Sequence, residues 1–263
     1  MAADFAGLTA GYYAMYRRDV PGVVLDAVVV TAQISSADWI LDLGCGTGQV
    51  AAVLASRVGG VLAIDPEPGM LSGLRARLTA EHAGNVLPVL ASDADLPAIS
   101  QLFGARFGAV TVANALHWMD AGRVFGQARR LLRPGGALVV ISQGPPMWLA
   151  DSSWARDLRV YLAEWAGSPL AGTCGTDREA VDERRARMRA HGFTTVELVE
   201  YSYENEIDLT YVAGHLYSAM SQAMVPVERR PEFQAGLQRA LGEHLAGGRL
   251  TERIDATALI GRH

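Results

Sequence analysis

Lysine is absent from this chain of 263 residues, and all 23 of its basic side chains are arginine. That excludes Schiff-base chemistry and the lysine with which phosphate loops grip nucleotides. Cysteine occurs only as Cys45 and Cys174, too few for a disulfide framework, and no His/Asp cluster has metal-ligand spacing, Asn114 with Asp120 being too little. No metal site is therefore expected. No apolar run approaches the roughly 20 residues of a membrane span, and the first residues, Met1-Ala2-Ala3-Asp4, lack the basic and apolar regions of a secretion signal. Positive charge is not in excess. The net charge is −5 with scattered arginines, which argues against nucleic acid as a partner. A cytoplasmic chain that avoids membranes is the expectation.

What is present begins with one short stretch. Trp39-Ile40-Leu41-Asp42-Leu43 is an apolar run carrying one acid, followed by Gly44-Cys45-Gly46-Thr47-Gly48 and then the apolar Val50-Ala51-Ala52-Val53-Leu54. A strand, a glycine turn and a helix start in this order let backbone approach a ligand closely. A second buried strand, Val61-Leu62-Ala63-Ile64, ends in Asp65, where a carboxylate can grip a ribose diol. The loop reads Gly-x-Gly-x-Gly with Gln49 next. It departs from the G-x-G-x-x-G of nicotinamide and flavin sites.

The periodicity predicts helix over 9–32 with a break at Pro21-Gly22, strand over 38–43, helix to 58, strand over 60–64 and helix over 67–83. Strands follow at 86–91, 107–113 and 137–142, with helix at 121–132 between the last two. This alternation argues for right-handed crossovers and an α/β, doubly wound, mostly parallel sheet covered on both faces. Beyond Gly144-Pro145-Pro146 the pattern changes. Helix is expected over 148–165, a loop of small residues over 167–176, helix over 177–191 and strand over 194–204. Two helices at 209–224 and 227–245 and a last strand at 249–260 complete the chain. The expectation is a single domain, 1–263, with lid and cap elements at about 1–30, 145–175 and 205–225 over the carboxyl edge of the sheet.

The stretch Asp42-Leu43-Gly44-Cys45-Gly46-Thr47-Gly48, with Asp65 after it, resembles motif I and its acidic partner in class I S-adenosylmethionine (SAM)-dependent methyltransferases. Ala91-Ser92-Asp93-Ala94-Asp95-Leu96-Pro97 resembles the D-A-x-x-L-P segment of that family, residues 107–118 its fourth strand, and Arg133-Pro134-Gly135-Gly136 its turn into the fifth. Tyr13-Ala14-Met15-Tyr16-Arg17 and Pro21 resemble the lid of its small-molecule type 11, trans-aconitate methyltransferase-like branch. The resemblance is strong over about 10–142 and loose beyond. It implies a seven-stranded Rossmann-like sheet with a helical cap, and SAM as cofactor.

The cofactor would then touch Gly44, Gly46 and Gly48, with Asp42 holding its amino group through water or serving only as a turn cap. Asp65 would take the ribose hydroxyls by charge-assisted bonds. Pro66 follows it, and Met70 either packs on the adenine or belongs to the core. Asp93 and the amide of Ala94 would read the adenine edge, and Asn114 would stand in the switch-point crevice. Arg17, or its neighbour Arg18, resembles the arginine that pairs with the cofactor carboxylate, and Tyr13 and Tyr16 would close over the sulfonium. For the acceptor, His117 is either the base for a hydroxyl or a structural histidine beside Trp118. Trp148, His215 and Tyr217, with Tyr16, would line the pocket, and Glu204, Glu206 and Asp208 either meet an amine or form a solvated turn.

The function implied is methyl transfer from SAM to N or O of a small molecule, plausible in specialised, antibiotic-type metabolism because the lysine-free composition suggests a GC-rich genome. Two alternatives stand beside it: a SAM-binding protein without activity, and a nicotinamide-dependent oxidoreductase, against which the loop spacing speaks. Acceptor identity and oligomeric state are left open.

Overall fold

Strand periodicity places alternate residues on opposite faces of a sheet, and here both faces are apolar. The computed structural model describes residues 7–170 and 172–263. The chain divides into two compact units. One comprises Arg18–Gln143, Arg178–Tyr201 and Ala256–His263; the other comprises the described residues up to Arg17 with Gly144–Asp177 and Ser202–Asp255.

The sheet has seven strands: β1 (Trp39–Leu43), β2 (Gly60–Asp65), β3 (Val86–Leu90), β4 (Phe107–Ala113), β5 (Leu132–Gln143), β6 (Thr195–Ile207) and β7 (Leu250–Arg262). Their order is β3-β2-β1-β4-β5-β7-β6. Strands β3 to β5 in that order pair in parallel, whereas β7 runs antiparallel to β5, with Ala137 opposite Arg262 and Gln143 opposite Ala256. The doubly wound, mostly parallel sheet expected from the alternation is thus observed. The later part of β6 and the earlier part of β7 belong to the other unit.

In the unit that carries the parallel strands, Ile40, Val61, Ala63, Ala109 and Val139 pack with α2 (Gly22–Thr31), α3 (Ala51–Ala55) and α4 (Pro68–Ala80). Leu41, Leu43, Ile64, Val110 and Val140 face the other way. They pack with α5 (Leu96–Phe103), α6 (Ala121–Leu131) and α8 (Arg178–Ala190). Asp42 sits between Leu41 and Leu43 and is buried with them. Arg133 holds the start of β1: its Nε and Nη2 donate to Asp38 at 2.6 and 2.7 Å, and this pair holds the Asp38 carboxyl below its ordinary pKa.

In this unit three expectations change. The helix expected to reach residue 58 covers only Ala51–Ala55, because the chain turns at Arg57, whose N–H bonds the Leu54 carbonyl, to enter β2. Helix α5 was not expected. Pro97 in its first turn reads as a breaker but is tolerated there, and Leu96 and Ile99 are its buried face. Strand β5 begins at Leu132, not Ala137, since Leu132 pairs with Phe107 and Ala137 with Ala109, so Arg133 to Gly136 bulge out of the ladder.

The other unit packs α1 (Leu8–Tyr16), α7 (Ser153–Ala166), α9 (Leu209–Ala219) and α10 (Arg230–Leu241) around Trp154, Leu158, Leu162, Val212, Leu216, Phe233 and Leu237. Ser152 and Asp208 cap α7 and α9 by accepting from Ala155 and Tyr211 amides. Trp148 lies on a short turn, Met147–Leu149, and not on the helix expected from residue 148. The helices expected at 209–224 and 227–245 end at Ala219 and Leu241. No described helix is long and apolar enough to cross a membrane.

Candidate functional site

Glycine at position 48 answers a packing need. Its φ is +97°, and a Cβ there would lie 2.6 Å from Cδ1 of Leu74 on α4. At Gly44, φ is +68° and a Cβ would meet Met119 and Ala115 at 2.7 and 2.8 Å. These glycines let the end of β1 turn beneath neighbouring segments. Four of the loop amides are spent inside the protein. Gly44 and Cys45 both donate to the Ile64 carbonyl, Gly48 donates to the Cys45 carbonyl, and Gly46 donates to Oδ2 of Asp65 at 2.9 Å. A pyrophosphate-binding loop needs such N–H groups directed at its anion. This loop instead presents carboxylates.

Two of those carboxylates dominate the electrostatics. Asp65 is 7% exposed; its Oδ1 accepts from the Glu67 amide at 2.9 Å, and burial raises its pKa against those two backbone bonds. Asp42 is 1% exposed. Its Oδ1 accepts from the Thr111 hydroxyl at 2.7 Å, and its Oδ2 has no hydrogen-bond partner. Burial pushes the Asp42 pKa to about 6, with the Asp65 charge adding to the rise. Cys45, buried beside both, has its thiol pKa raised by burial and by these two charges.

The remaining candidates of this unit are arranged around the strand ends. Met70 is buried on α4, while Pro66 and Ala94 are exposed. Asp93 is held by Arg123, whose Nη1 donates to its Oδ2 at 2.9 Å. Asn114 follows β4 with φ +51°, and its side chain is engaged with Gln143 at both ends: Nδ2 donates to Oε1 and Oδ1 accepts from the Gln143 amide, each at 2.9 Å. His117 and Trp118 are exposed on a single turn, Leu116–Trp118, their rings 4.8 Å apart.

The candidates of the other unit gather on α1 and α9. The Tyr16 ring lies flat against Gly214, where a Cβ would approach it to 2.3 Å, and the Tyr16 carbonyl lies 3.2 Å from Nδ1 of His215. Arg17 donates from Nε to the Ser218 hydroxyl at 2.8 Å and stands over the Tyr13 ring. His215 and Tyr217 are buried. Trp148 is buried as well, its indole N–H bonded to the Leu170 carbonyl at 3.2 Å.

Comparison with known proteins shows the family of the chain. Residues 40–136 match the family described as methyltransferase domain. An uncharacterised methyltransferase of Mycobacterium tuberculosis is 30% identical over 223 residues, which cover 83% of this chain and 79% of that protein. The chain is a class I SAM-dependent methyltransferase. The demethylmenaquinone methyltransferase of Thermus thermophilus is 34% identical over 170 residues, covering 59% of this chain and 74% of that one. Among solved structures, the YcgJ protein of Bacillus subtilis shares the fold, with a TM-score of 0.56 at 15% identity over 92% of this chain and 100% of that one.

SAM is therefore the methyl donor of this methyltransferase. The donor set suits it: SAM is a cation, and Asp42 on β1 offers a buried carboxylate oxygen without a hydrogen-bond partner, with a second carboxylate, Asp65, at the end of β2. Sequence reasoning missed three residues that hold the candidates in place, namely Thr111, Gln143 and Arg123. Thr111 left a signal, since it is the one hydroxyl in the otherwise apolar 107–113 stretch, and in the sheet it stands opposite Asp42.

Proposed function

We propose that this methyltransferase methylates nitrogen or oxygen of a small molecule, in specialised metabolism and in a cytoplasmic setting. The observation that carries the reading is the glycine loop with four of its amides bonded inside the protein and the carboxylates of Asp42 and Asp65 at its edge. That arrangement favours a cationic cofactor over an anionic dinucleotide and speaks against the oxidoreductase alternative. The acidic, lysine-free chain supports a small acceptor rather than a polyanion. An exposed free thiol at Cys174 suits a reducing compartment.

In this reading Asp65 binds the ribose hydroxyls with its remaining acceptor capacity, and the Asp42 carboxylate meets the amino group of the cofactor. Asp93, steadied by Arg123, takes the adenine edge between Pro66 and Met70, and the Ala94 amide, which donates to the Ser92 hydroxyl at 3.2 Å, joins it only by exchanging that bond. Gly44, Gly46 and Gly48 leave room for the cofactor body, and Asn114 supports the crevice through its backbone, its amide being committed to Gln143. Bound SAM supplies a methyl group on a sulfonium sulfur, so the protein must align an acceptor lone pair and receive the acceptor's proton. His117 is the group for that proton where the acceptor is a hydroxyl. Tyr13 and Arg17 are assigned to the cofactor by the resemblance, and Tyr16, Trp118, Trp148, His215 and Tyr217 to the acceptor. The segments at about 1–30, 145–175 and 205–225 are assigned as lid and cap by the sequence reading, residues 1–6 and 171 lying outside the described residues.

Calorimetric titration tests the reading. SAM and its demethylated product should bind and NADH should not. Asp65→Ala should weaken SAM at least roughly tenfold, the loss expected for a charged acceptor of two hydroxyls. The same titration with Arg17→Ala shows whether this guanidinium holds the cofactor or only Ser218. NADH binding with no SAM binding would sink the proposal.

A further inference from the structure

Two neighbouring arginines at the start of α10 differ in their surroundings. Arg229 is exposed and makes a two-pronged pair with Glu232, at 3.0 and 3.1 Å. Arg230 is partly buried, and no carboxylate lies within 4.0 Å of it among the described residues. Its guanidinium lies against two tyrosine rings that meet edge to face with centres 5.1 Å apart, 4.9 Å from the centre of Tyr12 and 4.5 Å from that of Tyr217. Nη1 donates to the Tyr12 hydroxyl at 2.9 Å, while Nε is buried without a partner.

A buried cation without a counter-charge is costly. The two aromatic faces offset part of that cost. The position adds to it, because the start of a helix carries a partial positive charge and favours anions. A second polar group nearby is also unsatisfied. Tyr217 is 6% exposed and its buried hydroxyl lacks a hydrogen-bond partner, Gln234 standing beside it without bonding geometry. Burial raises the pKa of this hydroxyl, so it stays protonated and able to donate. One guanidinium edge, one hydroxyl donor and aromatic walls match a planar monoanion.

We infer that Arg230 and Tyr217 form a recognition site for a carboxylate carried by the methyl acceptor, and that the Tyr12 hydroxyl occupies the guanidinium until that carboxylate displaces it. The inference rests on the reading of this chain as a small-molecule methyltransferase. It narrows the acceptor to an anionic, aromatic-compatible molecule. Tyr12 lies on α1, so arrival of the carboxylate must move that side chain, and the Tyr12–Arg230 bond is the contact that it exchanges.

The test uses the full chain with benzoate as probe and benzamide as its neutral isostere, followed by ligand-observed NMR. Benzoate should bind saturably and benzamide at least about fivefold more weakly. Arg230→Gln should reduce benzoate affinity by about tenfold, and Tyr217→Phe by about threefold. Tyr12→Phe should tighten it by about threefold, because the competing hydroxyl is gone. A purely structural cation–π stack predicts no gain in Tyr12→Phe. Circular dichroism checks the fold of each variant; if Arg230→Gln does not fold, the opposite signs of Tyr12→Phe and Tyr217→Phe decide. Equal binding of benzoate and benzamide, no saturable benzoate binding, or unchanged affinity in a folded Arg230→Gln would overturn the inference. SAM titrated into the same samples separates the outcomes: normal SAM binding with no benzoate binding defeats this inference alone, while absent SAM binding defeats the proposed function.

Discussion

Asn114 and Gln143 close a reciprocal amide pair across the ends of β4 and β5, each side chain bonding the other residue at 2.9 Å. Asn114 sits at φ +51°, a conformation that asparagine tolerates better than most residues. Asn114→Ala should therefore cost about 2–3 kcal/mol, from two lost hydrogen bonds and the backbone strain. In urea unfolding, Asn114→Ala and Gln143→Ala together should cost less than the sum of the two alone, by about 1 kcal/mol. Simple additivity would show that the pair does not act as a unit.

Asp42 makes the stability of the SAM-free protein fall as pH rises. Its pKa lies near 6 in the folded chain against 3.8 for the free group, so between these values the folded state holds the extra proton. Above the upper value the ionised carboxylate costs about 3 kcal/mol relative to the unfolded chain. Urea midpoints should be higher at about pH 5 than at about pH 8, and Asp42→Asn should shrink this difference and raise stability at the higher pH. Asp38 acts in the opposite sense. Its lowered pKa confines its loss of stability to pH values below the ordinary carboxylate range. A wild-type curve that rises steadily from pH 5 to 8 would contradict the assignment.

Gly214 is the seat of the Tyr16 ring, so Gly214→Ala should displace it. The added Cβ meets three ring carbons at 2.3–2.4 Å, and overpacking of this kind costs about 1–3 kcal/mol. Limited proteolysis should cut within residues 8–17 faster in the variant than in the wild type. Equal cleavage rates would mean that α1 is held without this contact.

His117 separates two kinds of acceptor. For a hydroxyl, His117→Ala should lower kcat by about 10²–10⁴-fold with SAM affinity nearly unchanged, and the wild-type rate should fall at low pH with one ionisation. For an amine the same acid limb arises from the amine, and the variant keeps substantial activity. Wild-type turnover in the variant on a hydroxyl acceptor would return the residue to a structural role.

The parallel strands were legible because β1 and β2 are short apolar runs bounded by acids and glycines and β4 is one between Arg106 and Asn114, and burial on both faces leaves that mark in the sequence. The glycine loop was legible for a similar reason: Gly44 and Gly48 answer steric needs that no other residue meets. Helix α5 was hidden by Pro97, which looks the same in a helix's first turn as in a loop. The partners of the candidate residues were less visible. Arg123 stands 30 residues from Asp93, and Gln143 stands 29 from Asn114. Nothing local records such pairings. The same holds for His215, whose ring lies 3.2 Å from the Tyr16 carbonyl, 199 residues earlier in the chain.

The place of β7 has a consequence for synthesis. It is inserted between β5 and β6, both of which precede it in the chain. Until residues 250–262 leave the ribosome, β5 exposes an unpaired backbone edge along Ala137 to Gln143, and the side chains of Ala137 to Ile141 are apolar ones destined for burial. Such an edge invites pairing with another nascent chain. Expression yield should depend on how soon that last strand arrives. Slowed translation between β6 and β7 is the condition under which chaperone dependence and inclusion bodies should increase.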